Sequence, residues 1–143
     1  MTSPMSTELA NLAKIGQLKI EPPDAHECAG LLRSAQVRLQ DAKQTILSLE
    51  GRFDLTYNSA HSAALCALRM HGYRSENRYT VFQSLEHTIG FTPRQWLLLD
   101  QAHKKRNLSE YEGDLDVTDS FVNELVTMVD VLVVRVSALL ASD

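Results

Sequence analysis

Apolar residues recur along this chain at spacings of three and four, and no segment sustains a two-residue alternation. This spacing places side chains on one face of an α-helix. The clearest stripe consists of Leu32, Ala35, Leu39, Ala42, Ile46 and Leu49. The pattern predicts an all-α protein, an antiparallel up-down bundle of four long helices plus one or two short ones.

Proline and capping residues divide the chain into two predicted segments. Residues 6–15 have the pattern of a short helical arm, and Pro22 and the proline after it end the connection that follows. Asp24 is placed to cap the next helix, because its carboxylate can accept a hydrogen bond from the first turn. We therefore expect an N-terminal arm over residues 1–23 and a helical bundle over residues 24–143.

Similar signals predict the later helices. One runs over about residues 48–71 and one over about residues 75–90, each followed or ended by a glycine. Thr92 precedes a proline, which is typical of a helix start. The last helix is expected to open at Asp116 or Thr118, after an acidic loop.

Composition limits the classes of protein that fit. The chain has 143 residues, of which 44% are hydrophobic and 22% charged, so a single globular domain is expected. The net charge of −4 argues against sequence-independent coating of nucleic acid, but it permits a local basic site.

Expectations for location and redox state follow from two further observations. The most apolar run, residues 131–140, is interrupted by Arg135 and is shorter than a membrane span. The first residues lack the basic start and apolar core of a secretion signal. We therefore expect a cytoplasmic protein without membrane contact, in which Cys28 and Cys66 are free thiols.

The segment 100–113 holds the most informative polar residues. Arg106 and Asn107 are adjacent, and Tyr111 follows after three intervening residues. A guanidinium is always charged and matches the geometry of phosphate. His103 lies one turn before Arg106 on a similar helix face, and Lys105 lies beside it.

A second basic cluster surrounds the turn after Gly72 and includes Arg74 and Arg78. Cations near a helix C-terminus also complement its dipole, so ordinary helix-end charge remains an alternative for both clusters. The chain has no Glu-x-x-His pair and no zinc-ligand spacing. We therefore expect no metal site and no cofactor.

Three segments, in this order, resemble the HEPN superfamily of small helical domains. Residues 32–42 are similar to its opening helix, and residues 57–74 to its alanine-rich second helix and turn. Arg106, Asn107 and Tyr111 fall where the family carries its hallmark, an Arg, a polar residue and, after a short gap, a His. The resemblance covers about residues 24–140.

The resemblance implies a HEPN-like bundle that forms a homodimer, with the Arg motif facing a shared groove. Many members are metal-independent ribonucleases. These are often toxins or defence effectors, whereas other members are non-catalytic partners of small nucleotidyltransferases, or binding modules. The chain departs from the hallmark at Tyr111, because a phenol with a pKa near ~10 is a poor base at neutral pH.

Three functions are therefore open. The first is a module that binds a partner protein, a nucleotide or RNA, as one component of a two-gene toxin–antitoxin or nucleotidyltransferase-associated system. The second is a ribonuclease that uses Arg106, Asn107 and Tyr111, and the third is a structural dimer without a ligand. We favour the first. Its expected binding residues are Arg106, Asn107, His103, Lys105, Arg74 and Arg78.

Overall fold

A computed structural model describes the backbone of residues 4–142 and the side chains of residues 7–142. The elements are α1 (Pro4–Lys14), β1 (Lys19–Ile20), α2 (Ala25–Ala42), α3 (Leu49–Met70), β2 (Tyr73–Arg74), α4 (Arg78–Gln83), α5 (Leu85–Thr88), α6 (Pro93–Glu112) and α7 (Asp119–Ser142). The prediction of an all-α helical bundle is confirmed.

Helix α3 occupies the centre of the bundle and packs against α2, α7 and α4. Its alanine face is buried, which lets α2 approach closely. The hydroxyl of Ser59 donates to the carbonyl oxygen of Ala35 at 2.7 Å, and that of Ser62 donates to the carbonyl oxygen of Leu31 at 2.8 Å. These bonds satisfy two buried hydroxyls and link serine side chains of α3 directly to the backbone of α2.

The predicted helix ends hold at most positions. The side chains of Asp24, Ser48 and Thr92 each accept a hydrogen bond from the first turn of their helix. Gly72 and Gly113 follow α3 and α6 with φ of 87° and 77°, a left-handed conformation that glycine adopts without strain.

Two predicted helices differ in the structure. The helix expected over residues 75–90 begins later, because the capping residue is Asn77, whose side chain accepts a hydrogen bond from Thr80 N, and not Ser75. It is also divided at Ser84 into α4 and α5. The predicted stripe also ended too late. Helix α2 stops at Ala42, so Ile46 lies in the following turn and is 92% exposed.

The predicted arm packs into the core of the bundle. Leu9 is fully buried, α1 packs on α5, and β1 pairs antiparallel with β2. This ladder was not predicted, because two residues are too few to show a strand period. Residues 1–3 and 143 of the two predicted segments lie outside the described residues.

Cys28 and Cys66 are buried and unbridged, so the prediction of free thiols is confirmed. The Cys66 thiol donates to the carbonyl oxygen of Cys28 at 3.3 Å. Burial raises the pKa of Cys66 to about 12, which keeps it protonated and unreactive.

The C-terminal helix α7 bears on the membrane prediction. With 24 residues, it is long and apolar enough to cross a membrane by length and composition, although the run judged from sequence was shorter. One side of α7 packs on α3 and α2 and supplies core residues such as Leu125 and Leu132. The apolar residues on that side of α7 therefore form part of the protein core.

A buried arginine fixes the end of the arm to the bundle. Arg69 is 1% exposed, and its Nε donates to Glu27 at 2.6 Å. Its two terminal nitrogens donate to the carbonyl oxygens of Glu21 and Pro22 at 2.8 and 2.7 Å. Arg74 forms ion pairs with both glutamates. The hydrogen bonds from Arg74, then from Arg69, hold the pKa of Glu27 below its ordinary value.

We predict that Glu27→Gln lowers the free energy of unfolding by about 1–2 kcal/mol, less than for a fully buried pair because Glu27 is partly exposed. A carboxylate with a lowered pKa stabilises the fold above its ordinary pKa of 4.5, and this contribution is lost as the pH falls below that value.

Urea unfolding of the wild type and Glu27→Gln should therefore differ most at about pH 7, and the difference should shrink as the pH falls below 4.5. Glu76→Gln is the matched control, because Glu76 is exposed and has no ion pair among the described residues. A pH-independent difference would contradict the prediction.

Candidate anion-binding site

The buried ring of Tyr57, on α3, organises the most polar cluster in the fold. The guanidinium carbons of Arg78 and Arg106 lie 5.5 and 5.3 Å from the ring centroid, in cation–π contact. Phe53 stacks on the same ring, and Phe82 contacts it edge-on. Helix α4 supplies one cation and α6 the other, so the site forms where three helices meet.

A chain of hydrogen bonds runs through the Tyr57 hydroxyl. Arg78 Nη1 donates to Tyr57 Oη at 3.1 Å, and His103 Nδ1 lies 3.1 Å from the same oxygen. The amide Nδ2 of Asn107 lies 3.2 Å from His103 Nε2. The tautomer of His103 is therefore set by these two contacts, because a neutral imidazole donates at one ring nitrogen and accepts at the other.

Both histidines near this cluster are held in the uncharged form. Burial lowers the pKa of His103, and the positive charges of Arg78 and Arg106 act in the same direction, against the opposing charge of Asp100. Burial, followed by Arg78, His103 and Arg106, lowers the pKa of His61 to about 4. Two neutral imidazoles therefore lie near two permanent cations.

The two arginines have few negative partners. Arg106 lies 3.3 Å from Glu110 one turn along α6, and the Glu110 side chain is 62% exposed. Arg78 has no carboxylate within ion-pair distance among residues 7–142. The charge of this site is thus positive although the chain as a whole carries −4. An anion that entered would find two guanidiniums with five donor N–H groups each.

A buried carboxylate lies on the same helix, one turn before His103. Asp100 is 1% exposed, and its Oδ2 pairs with Lys104 at 3.2 Å. Its Oδ1 has no hydrogen-bond partner. Its charge favours protonation of His103, yet burial and the arginines outweigh it.

The structure brings together four of the residues expected from sequence: His103, Arg106, Asn107 and Arg78. It places the other three elsewhere. Arg74 is held in the ion pairs with Glu21 and Glu27. Lys105 donates to the carbonyl oxygen of Asp116 and lies over the ring of Phe121. Tyr111 is 92% exposed, and its side chain forms no hydrogen bond or ring contact within residues 7–142.

Sequence reasoning did not assign Tyr57 and His61 to the site. Tyr57 is fully buried on the core face of α3, and its hydroxyl also takes part in the polar cluster. The two residues are four apart and therefore share a helix face. A tyrosine hydroxyl on a buried stripe is the one available signal, because a buried phenol needs a hydrogen-bond partner.

No family model, curated protein or solved structure matches the chain. The relationship to HEPN domains therefore stays a prediction based on its motifs. Among the described residues, no three His, Cys, Asp or Glu side chains converge as ligands of a metal ion would. The chemistry of the site is thus that of two guanidiniums, two imidazoles, an amide and a phenol.

We predict that His61 titrates near pH 4 and is uncharged at neutral pH. Substitution Arg78→Gln should raise its pKa, because one of the nearby positive charges is removed while burial is kept. Carbon-detected NMR titration of the imidazole measures both values. A pKa at the ordinary value of 6.5 in the wild type would exclude this arrangement.

Proposed function

We propose that this chain is a HEPN-like module that binds a phosphate group of RNA or of a nucleotide at Arg78, Arg106 and Asn107, beside the imidazole of His103. The observation that carries the proposal is the pair of guanidiniums beside Tyr57, which have a single, exposed carboxylate within ion-pair distance among the described residues. Like charges held close together are stabilised when an anion lies between them or beside them.

The chemistry of the site favours phosphate among anions. A guanidinium donates two parallel hydrogen bonds to phosphate oxygens, and the Asn107 amide adds a neutral donor. The partial burial of Arg106, whose side chain is 29% exposed, strengthens such bonds relative to those in bulk water. Glu110 would be displaced from Arg106 when the ligand binds. This displacement costs little, because the Glu110 side chain is 62% exposed and returns to water.

The overall negative charge restricts the size of the contact. A chain of net charge −4 repels a long polyanion outside this local site. We therefore expect few phosphate contacts. For two contacts with single-stranded RNA, the logarithm of the affinity should fall with the logarithm of the salt concentration with a slope of about −1.4.

We predict that Arg106→Ala and Arg78→Ala each weaken binding about tenfold or more, since each loses charged hydrogen bonds. Fluorescence anisotropy with labelled short single-stranded RNA measures the affinity. Competition with inorganic phosphate and with mononucleotides then identifies the part of RNA that is recognised.

Two control variants sharpen this experiment. Arg33→Ala removes the same charge from an exposed position on α2, which packs on α3 and α7 rather than forming the site, and should leave the affinity almost unchanged. Glu110→Gln should strengthen binding about twofold, because Arg106 loses its competing carboxylate. Equal affinities of the wild type and Arg106→Ala, or no binding of RNA, nucleotide or phosphate, would reject the proposal.

One observation favours a metal-independent ribonuclease as the second candidate. His103 lies in hydrogen-bond contact with Asn107 and near Arg106, so an imidazole occupies the cluster although Tyr111 stands at the hallmark position. Cleavage by two-group acid–base catalysis also needs a protonated acid. Both imidazoles have lowered pKa values and are therefore unprotonated at neutral pH. The Tyr57 phenol is protonated, but burial raises its pKa, so it is a weak proton donor. Binding without cleavage is therefore favoured.

We predict that RNA incubated with the protein and a chelator stays intact, as judged by gel electrophoresis. Cleavage that is abolished by His103→Gln and unaffected by Tyr111→Phe would establish the ribonuclease with His103 as its proton-transfer residue. Cleavage lost in Tyr111→Phe would instead support the arrangement expected from the hallmark alone. Both substitutions keep the size of the side chain.

The biological setting of the site is a proposal based on the resemblance. It includes a homodimer, which light scattering measures, and a partner protein from a toxin–antitoxin or nucleotidyltransferase-associated pair. A carboxylate on such a partner would bind the same guanidiniums as a phosphate. If inorganic phosphate inhibits binding of the partner protein, the partner uses this site.

A further inference from the structure

We propose that Tyr57 is a positioning residue: its buried hydroxyl and ring hold Arg78, Arg106 and His103 in the arrangement that binds the anion. This inference rests on the proposed function for its ligand. Its geometric content concerns the free protein and can be tested without a ligand.

The first support is the number of site residues that Tyr57 contacts. Its hydroxyl bonds Arg78 Nη1 and His103 Nδ1, both at 3.1 Å. Its ring lies 5.3 Å from the guanidinium carbon of Arg106 and stacks on the imidazole of His103 at 6.2 Å, with planes 11° apart. Two of the three proposed ligand-binding residues, and the imidazole beside them, thus touch one side chain.

The second support is that Tyr57 itself is closely packed in the core. It is fully buried, stacked on Phe53 at 6.4 Å and met edge-on by Phe82 at 6.2 Å. Arginine side chains have many rotamers, and ordering one in a complex costs free energy. A rigid aromatic ring that already holds two guanidiniums lowers this cost before the ligand arrives.

The third support concerns the proton of His103. Its two nitrogens are engaged by Tyr57 and Asn107, so the tautomer is set by these two partners. The charged and titratable groups around this imidazole are Asp100 and Lys104 on its own helix, Arg106 one turn later, Arg78 on α4, and Tyr57 and His61 on α3. Of these, the structure shows Tyr57 in direct hydrogen-bond contact with a ring nitrogen.

The test is Tyr57→Phe, which keeps the ring and removes only the hydroxyl. Nitrogen-15 NMR of the imidazoles, at a pH where His103 is neutral, should show a single tautomer of His103 in the wild type and a mixture of both tautomers in the variant. The affinity for labelled RNA should fall about tenfold, because Arg78 loses its fixed partner. Tyr111→Phe makes the same chemical change at an exposed position and should alter neither measurement.

The outcomes separate this inference from the proposed function. If the His103 tautomer changes in Tyr57→Phe but neither the wild type nor the variant binds RNA or phosphate, the positioning role is supported and the proposed function is rejected. Identical imidazole nitrogen shifts in wild type and Tyr57→Phe overturn the inference, as does unchanged affinity in a wild type that binds. If Tyr57→Phe fails to fold, the wild type alone decides: His103 nitrogen shifts that report an equal mixture of the two tautomers overturn the inference.

Discussion

The close approach of α2 and α3 is the constraint on which the rest of the structure depends. Alanine and serine on the facing side of α3 let Ser59 and Ser62 donate directly to carbonyl oxygens of α2. Larger residues there would separate the helices and remove the acceptors of both hydroxyls. With one side of α3 closed by α2 and another by α7, the side that carries Tyr57 is left to α4 and α6. The candidate site forms at that junction.

Two pairs of arginines in the fold have opposite surroundings. Arg69 and Arg74 are matched by Glu21 and Glu27, and backbone carbonyl oxygens satisfy further donors of Arg69. That cluster is neutral and joins the arm to the bundle. Arg78 and Arg106 face an aromatic ring and two uncharged imidazoles, with Glu110 as an exposed partner. An acidic chain can therefore present a positive site, because its carboxylates are concentrated elsewhere.

Tyr57 connects the core to this site. A phenol buried in an apolar core is costly unless its hydroxyl is hydrogen-bonded, and here the partners are functional candidates. The stability of the core and the geometry of the site thus depend on the same side chain. The low pKa values of both histidines follow from the same burial and from the two nearby cations. The two permanent cations, held beside uncharged imidazoles, are what supports the proposal of an anion site.

The sequence by itself determined the helical class, most of the helix ends and the free cysteines, because these depend on local periodicity, capping residues and proline or glycine positions. It also indicated Arg106, Asn107, His103 and Arg78, since charged residues near helix ends can be read from the chain. Only the tertiary structure decided that Arg74 pairs with glutamates, that Lys105 and Tyr111 lie outside the cluster, and that Tyr57 and His61 belong with it. These outcomes depend on which helix faces meet across more than twenty positions of the chain, for example between Tyr57 and Arg78. Periodicity along one helix contains no information about its neighbour, so packing alone sets which cation is neutralised and which stays available.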